Sequence, residues 1–143
     1  MTIAPAEKRD LPGVLQLLEA AQLPLDGVEA HLSTMVVAKD GSGVVGAAAV
    51  ELYSDGALLR SVVVSPVVQG QGVGYRLAEA ALNIAKRRDM KAAFLLTTTA
   101  EQFFPRLGFE QISRADVPAS VQASVEFQSA CPASATVMRK RLV

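Results

Sequence analysis

The sequence has 143 residues with 14 basic and 14 acidic side chains, and its formal net charge is zero. This length predicts one domain spanning residues 1–143, and the balanced charge without a basic stripe argues against a nucleic-acid partner. No apolar run of about eighteen residues occurs and no secretory leader is visible, so we expect no membrane partner and a cytoplasmic location. The single cysteine, Cys131, leaves no internal disulfide or metal cluster to expect.

The N-terminal part is predicted to form a short strand and two helices. The strand covers Thr2–Pro5. Asp10 is predicted to cap a helix that ends before Pro24. Asp26 then begins a stretch with the spacing of a capping box, which predicts a second, short helix over residues 29–32.

A hairpin and the central strand follow. Residues 34–39 and 44–52 are predicted to be strands, because they are apolar and are joined at 40–43 by residues that tolerate positive φ. A turn at 54–56 leads into a mostly apolar run over residues 58–64, which we take as the central strand.

The second half of the chain alternates helices with strands. A helix over Gly72–Arg88 precedes a strand at 92–97, and a short helix begins near Thr99 and ends at Gly108. The remaining predicted elements are a strand at 109–113, a helical segment from Asp116 to Phe127 and a closing strand at 134–142. This order predicts an α/β (α+β) domain with a mixed, mostly antiparallel, twisted sheet of about six to seven strands flanked by helices.

The loop between the central strand and its helix contains Gly70, Gly72 and Gly74. Glycine lets a bulky group approach the main chain, and Gly70 can adopt positive φ. Free N–H groups of the loop and the first helical turn, together with the helix dipole, predict an anion site. We therefore expect a phosphate-bearing ligand here. A nucleoside-triphosphate loop is excluded because no Gly-Lys-[Ser/Thr] follows the glycines.

Three motifs lie at fixed places: Gln69-x-x-Gly72-x-Gly74 after a strand, a strand that ends in threonines, and Phe103–Phe109 with the pattern aromatic-x-x-Leu-Gly-Phe. Together they resemble the GNAT superfamily of N-acetyltransferases over nearly the whole chain. The stretches 95–104, 118–127 and 131–135 more narrowly resemble the arsenic-resistance acetyltransferase branch. That branch is in turn similar to acetyltransferase domains of the N-acetylglutamate synthase type.

The resemblance implies acetyl-CoA as co-substrate, with no metal. The backbone of Val62 and Val64 would pair with the pantetheine arm, and Thr97 stands where many relatives carry an asparagine that contacts this arm. Phe104 stands where many carry a tyrosine that protonates the leaving thiolate, so it is not expected to be an acid. The residues that the resemblance implies for cofactor binding are Val62, Val63, Val64, Gln69, Gly70, Gln71, Gly72, Val73, Gly74, Thr97 and Phe104.

The expected reaction is direct attack of a neutral amine on the thioester, for which a base must accept a proton. The central strand lacks the glutamate that many relatives use, so Glu51 on the neighbouring strand is the candidate base, acting through water. Arg60 either binds a substrate carboxylate or pairs with Glu51 across strands. Ser61 either contacts substrate or fills space. The family also implies an oxyanion contact from a main-chain N–H near Val62.

The predicted function is transfer of the acetyl group of acetyl-CoA to the primary amine of a small molecule, an amino acid or an amino-acid-like compound. The resemblance to the arsenic-resistance branch implies that this compound is arsenic-related. The alternative is a non-catalytic acyl-CoA-binding sensor, and a homodimer is left open. His31 is expected to be solvated rather than a base. The basic cluster Lys86–Arg88 either satisfies the helix dipole or contacts the 3′-phosphate of CoA.

Overall fold

A seven-stranded sheet organises the molecule, as seen in a computed structural model that describes residues 1–143. The strands are β1 Thr2–Pro5, β2 Met35–Asp40, β3 Gly43–Tyr53, β4 Gly56–Val64, β5 Ala92–Thr97, β6 Glu110–Gln111 and β7 Thr136–Arg141. The α-helices are α1 Leu11–Ala20, α2 Val73–Arg87 and α3 Ala119–Gln122. Short 3₁₀ turns cover Lys8–Asp10, Glu29–Thr34, Pro66–Val68, Phe104–Leu107 and Arg114–Asp116, and a π turn covers Glu126–Ala130. The predicted fold class is confirmed.

The sheet has the order β1-β2-β3-β4-β5-β7-β6, and its strands are antiparallel except for the pair β4–β5. These two parallel strands are in register only at Ala57–Ala93 and Leu58–Phe94. Residues 59–64 of β4 therefore have no partner in β5, and the sheet opens along this half of the strand. Backbone groups at such an opening can pair with an added extended chain.

Each face of the sheet carries its own apolar core. Helix α2 presents a buried stripe that includes Leu77, Ala81 and Ala85, at the spacing of one helix face, and it packs on Leu59 and Leu95. The opposite face is covered by two separate clusters. One joins α1 to β2 and β3, and the other joins α3 and the π turn to β4, β5 and β7. No helix combines the length and apolarity needed to cross a bilayer.

A bulge interrupts the central strand β4. The register with β3 passes from Ala47–Val63 to Ala49–Arg60, so β4 holds one extra residue there. Ser61, in the bulge, has a left-handed φ of 60°. As a result Arg60 lies on the face of α3, whereas Val62 and Val64 pack on the α2 side.

The helix starts are where the predictions were wrong. Asp10 does not cap α1: its carboxylate accepts the Glu7 N–H at 2.8 Å and the Lys39 Nζ at 3.1 Å instead. The predicted capping box at Asp26 is also absent, since no side chain caps the turn Glu29–Thr34. In both cases the residue type and spacing suit a helix cap, but the side chain does not accept a hydrogen bond from the first turn of the helix. Residue spacing along the chain does not show which partner a side chain takes.

Two further boundaries differ from the predictions. The turn after β5 is closed by Thr97, whose Oγ1 accepts the Ala100 N–H at 3.0 Å, rather than by Thr99. The predicted strand over 109–113 is reduced to Glu110–Gln111, and the helical segment from Asp116 to Phe127 is divided into the turn Arg114–Asp116, α3 and the π turn.

Candidate active site

A cavity of about 390 Å³ lies between the end of β4, the glycine loop and the first turn of α2. It is closed on one side by Phe103 and by the exposed Arg106, which the sequence analysis did not assign to the site. Gln71 is exposed and does not line this cavity. The predicted cofactor residues that do line it are Val62, Val63, Val64, Gln69, Gly70, Gly72, Val73 and Gly74.

Two glycines of the loop adopt backbone conformations that favour glycine. Gly70 has φ 85° and Gly72 has φ 77°, and a Cβ added at either would meet no atom within 4 Å. Gly72 is the N-cap of α2 and no side-chain hydrogen bond caps the helix. The first-turn N–H groups therefore face open space, which fits a diphosphate at the positive end of the helix dipole.

Gly74 has a packing role besides the predicted one. A Cβ at this position would lie 3.3 Å from Val64 Cγ2 and 3.6 Å from Phe103 Cζ. The missing side chain therefore lets α2 approach β4 closely, in addition to leaving room for a ligand. Gln69 ties the loop to the same strand, because its Nε2 donates to the Val64 carbonyl oxygen at 3.2 Å.

A second cavity of about 310 Å³ fills the opening between β4 and β5 and shares Val62 with the first. Thr97 and Phe104 line it, as do Arg60, Ser61 and, from the π turn, Glu126. The ring of Phe104 packs edge-on between those of Phe103 and Phe109, at centroid distances of 5.0 and 5.9 Å. The two cavities are therefore neighbours, one at the glycine loop and the other at the opening of the sheet.

Arg60 is the centre of a buried charge cluster beneath this second cavity. Its side chain is fully buried, and its Nη1 donates to Glu51 Oε2 at 2.8 Å. Its Nε donates to Ser61 Oγ at 3.2 Å and lies 3.3 Å from Glu126 Oε2, and its Nη2 lies 3.5 Å from the Pro24 carbonyl oxygen. Of the two interpretations left open for Arg60, the structure shows the pairing with Glu51. Each of the three guanidinium nitrogens thus has an acceptor within the protein.

Glu51 is held by three donors and does not line either cavity. His31 Nε2 lies 3.0 Å from its Oε2, the Tyr53 hydroxyl donates to its Oε1, and Arg60 completes the set. Burial alone would raise the pKa of Glu51, but the hydrogen bonds from His31, Tyr53 and Arg60 outweigh it and lower the pKa to about 2. This arrangement engages both carboxylate oxygens of Glu51, which disfavours its predicted role as a base. His31 is also not the solvated residue expected, since 28% of its side chain is exposed and it contacts Glu51.

Glu126 is the ionisable group that the sequence analysis missed. It is 4% exposed and lies at the wall of the second cavity. Burial raises the pKa of Glu126 to about 7, against the opposing effect of the Arg60 charge and with help from the charge of Glu51. The sequence offers one sign of this residue: Glu126 stands between the apolar residues Val125 and Phe127. A charge buried with such neighbours is unfavourable unless it has a partner or a function.

The basic cluster Lys86–Arg88 lies at the C-terminal end of α2, opposite the glycine loop. A helix of this length separates its two ends by about 20 Å. The cluster is thus placed to interact with the negative end of the helix dipole rather than with a phosphate near the loop.

Residues 31–111, more than half of the chain, match the acetyltransferase (GNAT) domain family. The chain belongs to this family. A curated relative is the amino-acid acetyltransferase of Mycobacterium tuberculosis, which is 37% identical over 79 residues. That match covers 54% of this chain and 45% of the relative, so the chain spans less than half of the relative's length.

Solved structures share the GNAT fold over the whole chain. N-acetylglutamate synthase from Neisseria gonorrhoeae, solved with coenzyme A and N-acetyl-glutamate, superposes with a TM-score of 0.85 at 22% identity, covering 99% of this chain and 35% of that one. A Mycobacterium tuberculosis protein solved in complex with CoA and a second ligand gives a TM-score of 0.84 at 24% identity, with full coverage of both chains. At these identities the likeness concerns the fold.

Proposed function

We propose that this chain transfers the acetyl group of acetyl-CoA directly to the primary amine of a small molecule. The observation that carries the proposal is the pair of adjacent cavities, both lined by Val62, one at the uncapped helix start at Gly72 and the other beside Arg60 and Glu126, along the unpartnered half of β4. Acetyl-CoA supplies the thioester that the amine attacks. Main-chain N–H groups of the loop would hold the diphosphate, and the free edge of β4 at Val62 and Val64 would hold the pantetheine arm.

Positioning accounts for much of the expected rate acceleration. An extended arm held along β4 would end in the second cavity near the bulge, where a main-chain N–H close to Val62 could stabilise the oxyanion. Holding the thioester and the amine in one cavity makes the reaction effectively unimolecular. Thr97 and Phe104 lie at the wall of this cavity and would shape the end of the arm. Because Phe104 carries no hydroxyl, the thiolate leaves without a proton from this position.

We propose an amino acid or an amino-acid-like compound as the acceptor. The curated relative carries the name amino-acid acetyltransferase, and one solved neighbour was crystallised with N-acetyl-glutamate. A cavity of about 310 Å³ whose wall includes both Arg60 and Glu126 suits a small zwitterion. The residue-level resemblance to the arsenic-resistance branch adds an arsenic-containing amino-acid analogue to the acceptors to be tested.

A second candidate function is a non-catalytic acyl-CoA sensor. It is favoured by Phe104 in place of the hydroxyl-bearing residue of many relatives and by a central strand with no carboxylate. A sensor would bind acetyl-CoA at the glycine loop, and no acetyl transfer would take place in the second cavity.

Two measurements separate the candidates. Calorimetry with acetyl-CoA tests the loop, and a thiol-release assay with a panel of amino acids, amino-acid amides and arsenic-containing analogues tests the transfer. An enzyme binds acetyl-CoA and releases CoA only when an amine acceptor is present. Binding without thiol release from any acceptor would favour the sensor, and the absence of binding would refute both functions.

A further inference from the structure

Glu126 presents to the second cavity a carboxylate that has one ion-pair partner, Arg60, and shares it with Glu51. It is the first residue of the π turn, 4% exposed, and it lies at the cavity wall. Apart from a contact with the Cys131 thiol, it accepts no hydrogen bond from the protein. The nearest donor, Arg60 Nε at 3.3 Å, donates instead to Ser61 Oγ. A buried carboxylate is normally satisfied by several donors, so this one has room for a donor from a ligand.

The charged and titratable groups that surround Glu126 explain its affinity for a proton. Arg60 of β4 is the one close cation, and it already pairs with Glu51 of β3. Cys131 follows in the next loop, and burial raises the pKa of its thiol to about 12, with the Glu126 carboxylate adding to that rise. Arg114 lies farther out, with its guanidinium stacked on the ring of Phe127. One guanidinium shared between two carboxylates cannot fully stabilise both of them as anions.

We propose that Glu126 is the general base of this enzyme: it binds the ammonium group of the acceptor and removes one proton from it. The proposal rests on the acetyl transfer proposed above. Glu126 is a catalytic residue in this scheme because it contacts the substrate. Arg60 and Glu51 are positioning residues that fix the carboxylate's surroundings.

The step is complete in atoms and charge. A proton passes from the acceptor's ammonium nitrogen to Glu126, and the neutral amine nitrogen then forms a bond to the carbonyl carbon of acetyl-CoA. The carbon–sulfur bond breaks, the remaining excess proton on nitrogen passes to the departing sulfur, and the products are the amide and CoA. Protonated Glu126 finally releases its proton to water. A group with a pKa near neutral can perform both halves of this exchange.

The test compares wild type with Glu126→Gln and with Glu110→Gln, which replaces an exposed carboxylate far from the cavities. We expect Glu126→Gln to lower kcat about 100-fold or more, the usual effect of losing a general base, and Glu110→Gln to leave it unchanged. Wild-type kcat should fall below a midpoint near pH 7, and Glu126→Gln should lose this limb. Calorimetry should find the same acetyl-CoA affinity in all three proteins, which shows that the variant folds.

A second acceptor distinguishes proton removal from a structural role. An acyl hydrazide that lacks the α-amino group and offers the terminal hydrazide nitrogen instead has an uncharged nucleophile at assay pH, so it needs no base for a first proton. Glu126→Gln should therefore lose far less activity with the hydrazide than with the amino acid. Equal losses with both acceptors, or an unchanged pH profile, would overturn the proposal while the acetyl transfer stands. If wild type releases no thiol with any acceptor, the proposed function itself fails and this role with it.

Discussion

Replacing Arg60 by methionine tests whether the guanidinium belongs to the fold rather than to the substrate. Its side chain is fully buried and contacts the carboxylates of both Glu51 and Glu126. Methionine has a similar length and no charge, so the main change is that two buried carboxylates lose their common partner. Breaking a buried pair in this way lowers the free energy of unfolding by about 3–5 kcal/mol. In a chain of 143 residues this corresponds to a fall in Tm of about 10 °C or more.

The assay is urea and thermal unfolding of Arg60→Met beside Arg9→Met, which removes the guanidinium of an exposed pair with Glu7. The surface variant should lose no more than about 1 kcal/mol. Adding Glu126→Gln to Arg60→Met should recover part of the lost stability, because one stranded charge is then gone. A loss in Arg60→Met no larger than that in Arg9→Met would refute the buried cluster and return Arg60 to the candidates for substrate binding.

The remaining predictions concern the loop and the titration of the cluster. Gly72→Val should abolish the calorimetric signal with acetyl-CoA, whereas Gln71→Ala should bind acetyl-CoA normally. The left-handed backbone at position 72 should cost Gly72→Val only about 1–2 kcal/mol of unfolding free energy. Unchanged acetyl-CoA binding in Gly72→Val would refute the placement of the diphosphate. Arg106→Ala should raise the Kd for CoA up to about fivefold at low salt, and an equal effect at high salt would contradict a charge contact. Because its pKa is lowered, Glu51 should contribute on the order of 3 kcal/mol to the free energy of unfolding above about pH 4.5, and this contribution is lost as the pH falls toward 2. Because its pKa is raised, Glu126 should make a contribution to the free energy of unfolding that is complete below about pH 4.5 and is lost as the pH rises through about 7. Urea unfolding across this range should therefore show a maximum between the two limbs, and Glu126→Gln should remove only the alkaline one.

The sequence predicted the position of those helices and strands whose ends are marked by nearby residues. Strand β5 matches its prediction at both ends, and α2 differs by one residue at each end. The glycine loop was found because left-handed φ angles and an uncapped helix start need glycine at those places. Family membership, which these motifs suggested, was confirmed.

The acceptor side of the site could not be predicted in the same way. The partners of Arg60 come from β3 and from the π turn, which lie 9 and 66 residues away along the chain. The position of Glu126 depends on an irregular segment with no periodic pattern, so its exposure to the cavity could not be deduced from spacing. The partner of Asp10 could not be predicted for the same reason, because Lys39 lies in β2 and is distant along the chain.

The additional residue at Ser61 has a consequence for anyone who recombines this strand with that of a relative. Side chains in β4 alternate up to Arg60, and the alternation is then reversed, so Val62 and Val64 point toward α2. A transplanted segment of the same length that ran as a regular strand, without the bulge, would turn both valines toward the charged cluster and Val63 toward the helix. The left-handed backbone at Ser61, which makes the bulge, therefore decides which side chains line the space between the two cavities.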